Sequence, residues 1–112
     1  MIVKCEIIQN HLKWHNENGN VNASELNVSK FIFDDNNILG ISPAEDVVWV
    51  LDENGKCCCE LKNSDDLYIM YIQKHPRYGL CVVASVKNEA EEWKDSYLTY
   101  NDMNFEIISN AR

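Results

Sequence analysis

Val47-Val48-Trp49-Val50-Leu51-Asp52-Glu53-Asn54-Gly55-Lys56-Cys57-Cys58-Cys59-Glu60-Leu61 reads as two extended runs around one turn. The first run is β-branched and aromatic. It meets Asn54-Gly55, a dipeptide that accepts positive φ at low cost, and a second apolar run follows. A two-residue turn would set Leu51 opposite Cys58 and Trp49 opposite Glu60. Val48, Val50, Cys57, Cys59 and Leu61 would then share one face, apolar enough to be the core side. Trp49 would share the more polar face with Glu60 and Lys62.

Downstream, Leu67–Gln73 and Leu80–Val86 form a second hairpin pattern around Lys74-His75-Pro76-Arg77-Tyr78-Gly79. Proline lacks a ladder donor and glycine tolerates unusual dihedrals, so both belong in the loop. A five-residue loop pairs Tyr68, Met70 and Ile72 with Val86, Ala84 and Val82, leaving Tyr71 and Val83 on the other face. Two largely apolar faces imply a hairpin covered on both sides, or an exposed aromatic surface.

Ile2–Ile8, Val28–Asp34 and Phe105–Ser109 read as further strands, and residues 10–27 as a long loop or a short irregular helix. Residues 88–98 read as the single helix. Asn88 and Glu91 have capping-box spacing, Glu89, Glu91 and Glu92 favour the helix dipole, and Ala90, Trp93 and Tyr97 share a helical face. No internal repeat stands out. The expected fold is α+β leaning all-β: an antiparallel sheet of about five to seven strands with one helix, in a single domain over residues 1–112.

The charge is lopsided. Eighteen acidic side chains face ten basic ones, for a net charge of −8. Residues 31–66 hold nine of those acids against Lys56 and Lys62, whereas residues 67–88 hold Lys74, Arg77 and Lys87 and no acid. Such a chain repels nucleic acid and anionic membrane and is steered toward basic surfaces. No apolar stretch is long enough to span a bilayer, and Lys4 and Glu6 interrupt any secretory signal. The five cysteines are odd in number and three are adjacent, which suits unpaired thiols in a reducing cytoplasm. In that compartment the sequons at Asn22 and Asn27 have no glycosylation meaning.

No residue set spells out catalysis or a cofactor. His11 and His15, four apart, would come within reach of one metal only on a helix, and His-Leu-Lys-Trp-His lacks the glutamate that zinc hydrolases use as base. Contiguous Cys57-Cys58-Cys59 cannot converge three thiolates on one metal if extended; packing accounts for Cys57 and Cys59, with Cys58 partly exposed. Cys81 with His75 lacks an electropositive setting beyond Lys74 and Arg77. Asp34-Asp35-Asn36-Asn37 and Asp65-Asp66 lack calcium-loop spacing and suit turns.

What remains is a non-enzymatic acidic binder with no cofactor and no metal. The class it fits is the small bacterial inhibitor or immunity protein that neutralises a basic partner such as a nuclease toxin. Its expected partner-binding residues are Asp46, Asp52, Glu53, Glu60, Asp65 and Asp66, with Trp49 as the apolar anchor. The alternative is a small-molecule-binding or enzymatic domain. Its pocket would lie between sheet and helix, lined by Tyr68, Tyr71, Trp93 and Tyr97, with His75 and Arg77 supplying polar chemistry.

Overall fold

The computed structural model describes residues 1–101 and 104–110, with side chains through residue 108. Eleven strands follow in order: β1 (Ile2–Ile8), β2 (His11–Asn16), β3 (Val21–Asn27), β4 (Lys30–Phe33), β5 (Asn37–Ile41), β6 (Val47–Asp52), β7 (Cys57–Lys62), β8 (Leu67–His75), β9 (Gly79–Lys87), β10 (Trp93–Asn101) and β11 (Asn104–Asn110). They form three antiparallel meanders, β1-β2-β3, β4-β5-β6-β7 and β8-β9-β10-β11. The described residues are all-β, with no helix and three sheets in place of the one expected.

The second sheet is covered on both faces, which explains why β5 and β6 read as near-continuous apolar runs. Ile32, Leu39, Ile41, Val48 and Val50 pack with Ile69, Leu80, Val82, Ala84 and Leu98 of the third sheet. On its other side, Phe31, Phe33, Ile38, Trp49 and Leu51 pack with Ile2, Leu12 and Trp14 of the first sheet and with Val28. Two cores in series draw the molecule out to 50 × 27 × 20 Å.

The expected helix at 88–98 is a hairpin turn followed by β10. Asn88 does accept backbone N–H groups through its side chain, as a helix cap would, but from Ala90 (2.9 Å) and Glu92 (3.0 Å) across a tight turn. The Asn88 N–H then donates to the Glu92 carbonyl at 2.9 Å, closing a hairpin. The competing signal is alternation: Ser96 and Leu98 are buried, while Trp93 is exposed and Asp95 and Tyr97 are half-buried. β10 pairs with β9 on one side and β11 on the other. A cap is worth about 1 kcal/mol, and two ladders with a buried face outweigh it.

The same turn occurs three times, at residues 16, 52 and 88, each 36 residues from the last. Asn16 Oδ1 accepts from the N–H groups of Asn18 and Asn20, both at 3.0 Å. Asp52 Oδ1 accepts from those of Asn54 and Lys56, both at 2.9 Å. In all three the fourth residue lies in the left-handed region: Gly19 at φ 80°, Gly55 at φ 92° and Glu91 at φ 60°. The 36-residue shift also carries β2 onto β6 and the start of β3 onto that of β7. The chain therefore has an internal repeat that the sequence reading missed.

Glu91 is the strained copy, since a side chain in this region costs an L-residue energy that glycine avoids. Glu91→Gly is expected to stabilise the fold by about 0.5–1 kcal/mol, after allowing for the extra freedom glycine gives the unfolded chain. A thermal melt checks this, with a rise of a few degrees expected.

The repeat also explains a register correction. Asp52 closes a three-residue loop, not a two-residue turn, and a bulge follows. Trp49 does sit opposite Glu60, but Leu51 faces Cys57 rather than Cys58, so Cys57 is exposed and Cys58 packs on the core. In the second hairpin Ile72 faces Val82 as expected, while a bulge near Met70 moves Tyr68 opposite Ser85. Residues 10–27 are ordered as β2, a turn and β3. Burial of Leu12 and Trp14 on β2 outweighs the low strand preference of the Asn- and Ser-rich β3.

Candidate functional site

β7 is an edge strand of the second sheet, and the acids singled out from the sequence are strung along this flank. Glu60 lies at its middle and is exposed. One carboxylate oxygen accepts the Trp49 indole N–H at 3.0 Å and the other meets Lys62 Nζ at 2.9 Å. The Lys62 ammonium first, and the indole second, hold the Glu60 carboxyl below the usual range; Glu60 in turn raises Lys62.

Asp46, Asp65 and Asp66 gather at one end of the flank, and all three are exposed. The Asp46 carboxylate accepts the Ser42 hydroxyl at 2.7 Å, fixing the β5–β6 turn. The Asp46 carbonyl accepts the Asn63 N–H at 3.0 Å and the Asp66 carbonyl accepts the Lys87 N–H at 2.8 Å. These bonds tie together the β5–β6, β7–β8 and β9–β10 connections. They bring the exposed Glu89, Glu91 and Glu92 to the same end, an addition hidden while 88–98 reads as a helix.

Asp52 and Glu53 lie at the opposite end, past the other terminus of β7. Asp52 is committed to its turn. Glu53 and Glu17 flank the Met1 ammonium, which both raise, Glu53 most strongly. The Glu53 carbonyl also accepts the Trp14 indole N–H at 2.9 Å. The seven residues thus form a strip capped at two ends, not a cluster. Trp49 is half-buried, packs toward the first-sheet core and has its N–H bonded to Glu60. The exposed tryptophan is Trp93, at 48%.

The groups weighed for other chemistry are occupied structurally. His75 Nδ1 accepts the N–H groups of Arg77 and Tyr78 at 3.0 and 3.3 Å, and its ring stacks on Tyr78 with centroids 4.6 Å apart. Cys81 is fully buried and its Sγ donates to the Gly79 carbonyl at 3.3 Å; burial pushes this thiol up, away from the reactive thiolate. Asp34 Oδ1 accepts the N–H groups of Asn36 and Asn37, both at 2.9 Å, as a turn residue does. His11 and His15 lie on strand β2, and among the described residues no group of three His, Cys, Asp or Glu could hold a metal.

Without a helix, the pocket expected between sheet and helix does not form, and Tyr68, Tyr71 and Trp93 are exposed instead. A cavity of about 140 Å³ lies elsewhere, lined by residues that include Asp34, Asn37, Tyr78 and Thr99. Among the described residues no helix is long and apolar enough to cross a membrane.

All five cysteines are free. Burial pushes the Cys5 thiol from its ordinary 9.0 up to about 11. Between those values the unfolded chain releases a proton that the folded chain keeps, so rising pH favours unfolding. Stability is expected to be full below pH 9 and to fall toward pH 11. Comparing urea midpoints of wild type and Cys5→Ser over this window isolates the effect, because serine does not titrate there.

Compared with protein-family models, curated proteins and solved structures, the chain matches none of them.

Proposed function

We propose that this chain is a non-enzymatic binding protein whose acidic flank covers a basic surface on another protein. The observation that supports this most is the exposure of Asp46, Glu60, Asp65 and Asp66 along one edge of the second sheet, where among the described residues Lys62 is the one cation in ion-pair contact with them. Salt bridges at such exposed sites contribute little to folding, so folding alone does not account for this density of charge. Long-range attraction does use it: complementary potential speeds encounter and rejects like-charged partners.

A nuclease must present positive potential to its phosphate substrate, so the partner class we propose is a basic nuclease toxin. The role would be that of a bacterial inhibitor or immunity protein. Five free thiols suit action in the cytoplasm. The test is affinity capture with the tagged chain from its native cells at low and high salt, read by mass spectrometry. A stoichiometric basic partner held at low salt and released at high salt is expected. No basic partner at either salt would contradict the proposal.

A further inference from the structure

The two ends of the three-sheet stack differ in kind. On the first sheet, Leu12 and Trp14 point into the core, so the alternate residues His11, Lys13 and His15 lie on the outer face. Their cross-strand partners there include Lys4 and Glu6. Charges of both signs, with the exposed Ile8 and Val21 paired to His11 and His15 among them, make this a mixed, partly charged cap that carries no exposed tyrosine or tryptophan among its described residues.

The outer face of the third sheet has no such cap. Tyr68 is 61% exposed, and Tyr71 and Trp93 are each 48% exposed. Register places Tyr71 opposite Val83 and Val83 opposite Tyr97, with Cys81 on the same face one pair further along. Val83 and Cys81 are nonetheless buried, so aromatic rings roof this part of the central strand, with Ser85 and Asp95 in the next row of the same face. Four strands of up to nine residues give a footprint of about 30 by about 19 Å. Side-chain relief brings that near the roughly 800 Å² per partner of a standard interface.

We infer that a second copy of this chain covers this face, making a two-fold homodimer in which the third sheets pack against each other. Charge selects the occupant and the direction. Glu89, Glu91 and Glu92, all exposed, stand at one end of the face beyond Trp93 and outnumber Lys87, which lies over the Trp93 ring; the exposed Arg77 stands at the other end. A two-fold axis in the interface plane and perpendicular to the strands reverses strand direction. It sets each copy's acidic turn against its mate's basic loop, twice. Stacking through the acidic flank of the second sheet would instead oppose like charges, and the dimer leaves that flank free.

The test is sedimentation over a range of concentrations. Wild type is expected at twice the 13.0 kDa of one chain, dissociating as it is diluted. Tyr71→Glu is expected to weaken association about a hundredfold by burying a charge, while Tyr71→Phe stays dimeric. Lys13→Glu, on the opposite end of the stack, is expected to change nothing. Arg77→Glu and Glu92→Arg should each weaken the dimer about tenfold, and the two together should restore it. These two positions and Tyr68→Glu decide the matter if Tyr71→Glu fails to fold. A wild type monomeric at every concentration would overturn the proposal, as would charge variants that leave association unchanged.

Discussion

Trp14→Ala is expected to cost about 3–5 kcal/mol of folding stability, a large share of what a domain of this size possesses. Trp14 is fully buried and belongs to the core that joins the first sheet to the second. Its indole N–H donates to the Glu53 carbonyl, so one side chain both fills this core and anchors the β6–β7 turn. Alanine leaves a cavity and removes that donor, while Asn22 Nδ2 still reaches the same carbonyl at 3.3 Å. Trp14→Phe keeps most of the volume and loses the bond, and should cost about 1–2 kcal/mol. Urea denaturation of the three proteins reads both numbers. A cost below about 1 kcal/mol for alanine would mean that the first sheet is not held by this contact.

The other large effect is on binding. Reversing Glu60, Asp65 and Asp66 together to lysine is expected to weaken capture of a basic partner about a hundredfold or more, chiefly through slower association. These positions are chosen because they are exposed and outside the turn bonds that occupy Asp52. Reversing Asp52 would confound binding with loss of its hairpin. The Glu60 change also removes the acceptor of the Trp49 N–H, but at an exposed site where the folding cost is small. The melting temperature should therefore stay close to that of the wild type while binding falls. A parallel loss of both would point to misfolding instead.

Local patterning made several elements legible in the sequence. The run at 47–61 declared its hairpin and the pairing of Trp49 with Glu60. Its bulge was not legible, because Asn54-Gly55 serves a two-residue or a three-residue loop equally well. The Asp52 carboxylate decides between them, by bonding two N–H groups across the longer loop. Asn88 misled for a related reason: the side-chain acceptor that starts a helix also closes this turn. Position 91 hid the repeat, because a glutamate stands where the other two copies have glycine.

The acids of the site were readable as residues but not as a surface. Which end of the flank each occupies depends on strand order, and the grouping of Asp46 and Asp66 with Glu89 follows from backbone bonds between distant connections. Trp49 looked like an exposed anchor because its face of β6 carries Glu60 and Lys62 opposite. A separate first sheet packing on that face was not foreseeable from the hairpin itself.

The measurement that bears most directly on the acidic flank is the association rate constant with the captured partner as a function of ionic strength. Electrostatic steering predicts a rate that falls steeply as salt is added, and a Glu60→Lys, Asp65→Lys, Asp66→Lys variant whose rate is low and nearly flat. Equal rates for the two proteins, insensitive to salt, would contradict it.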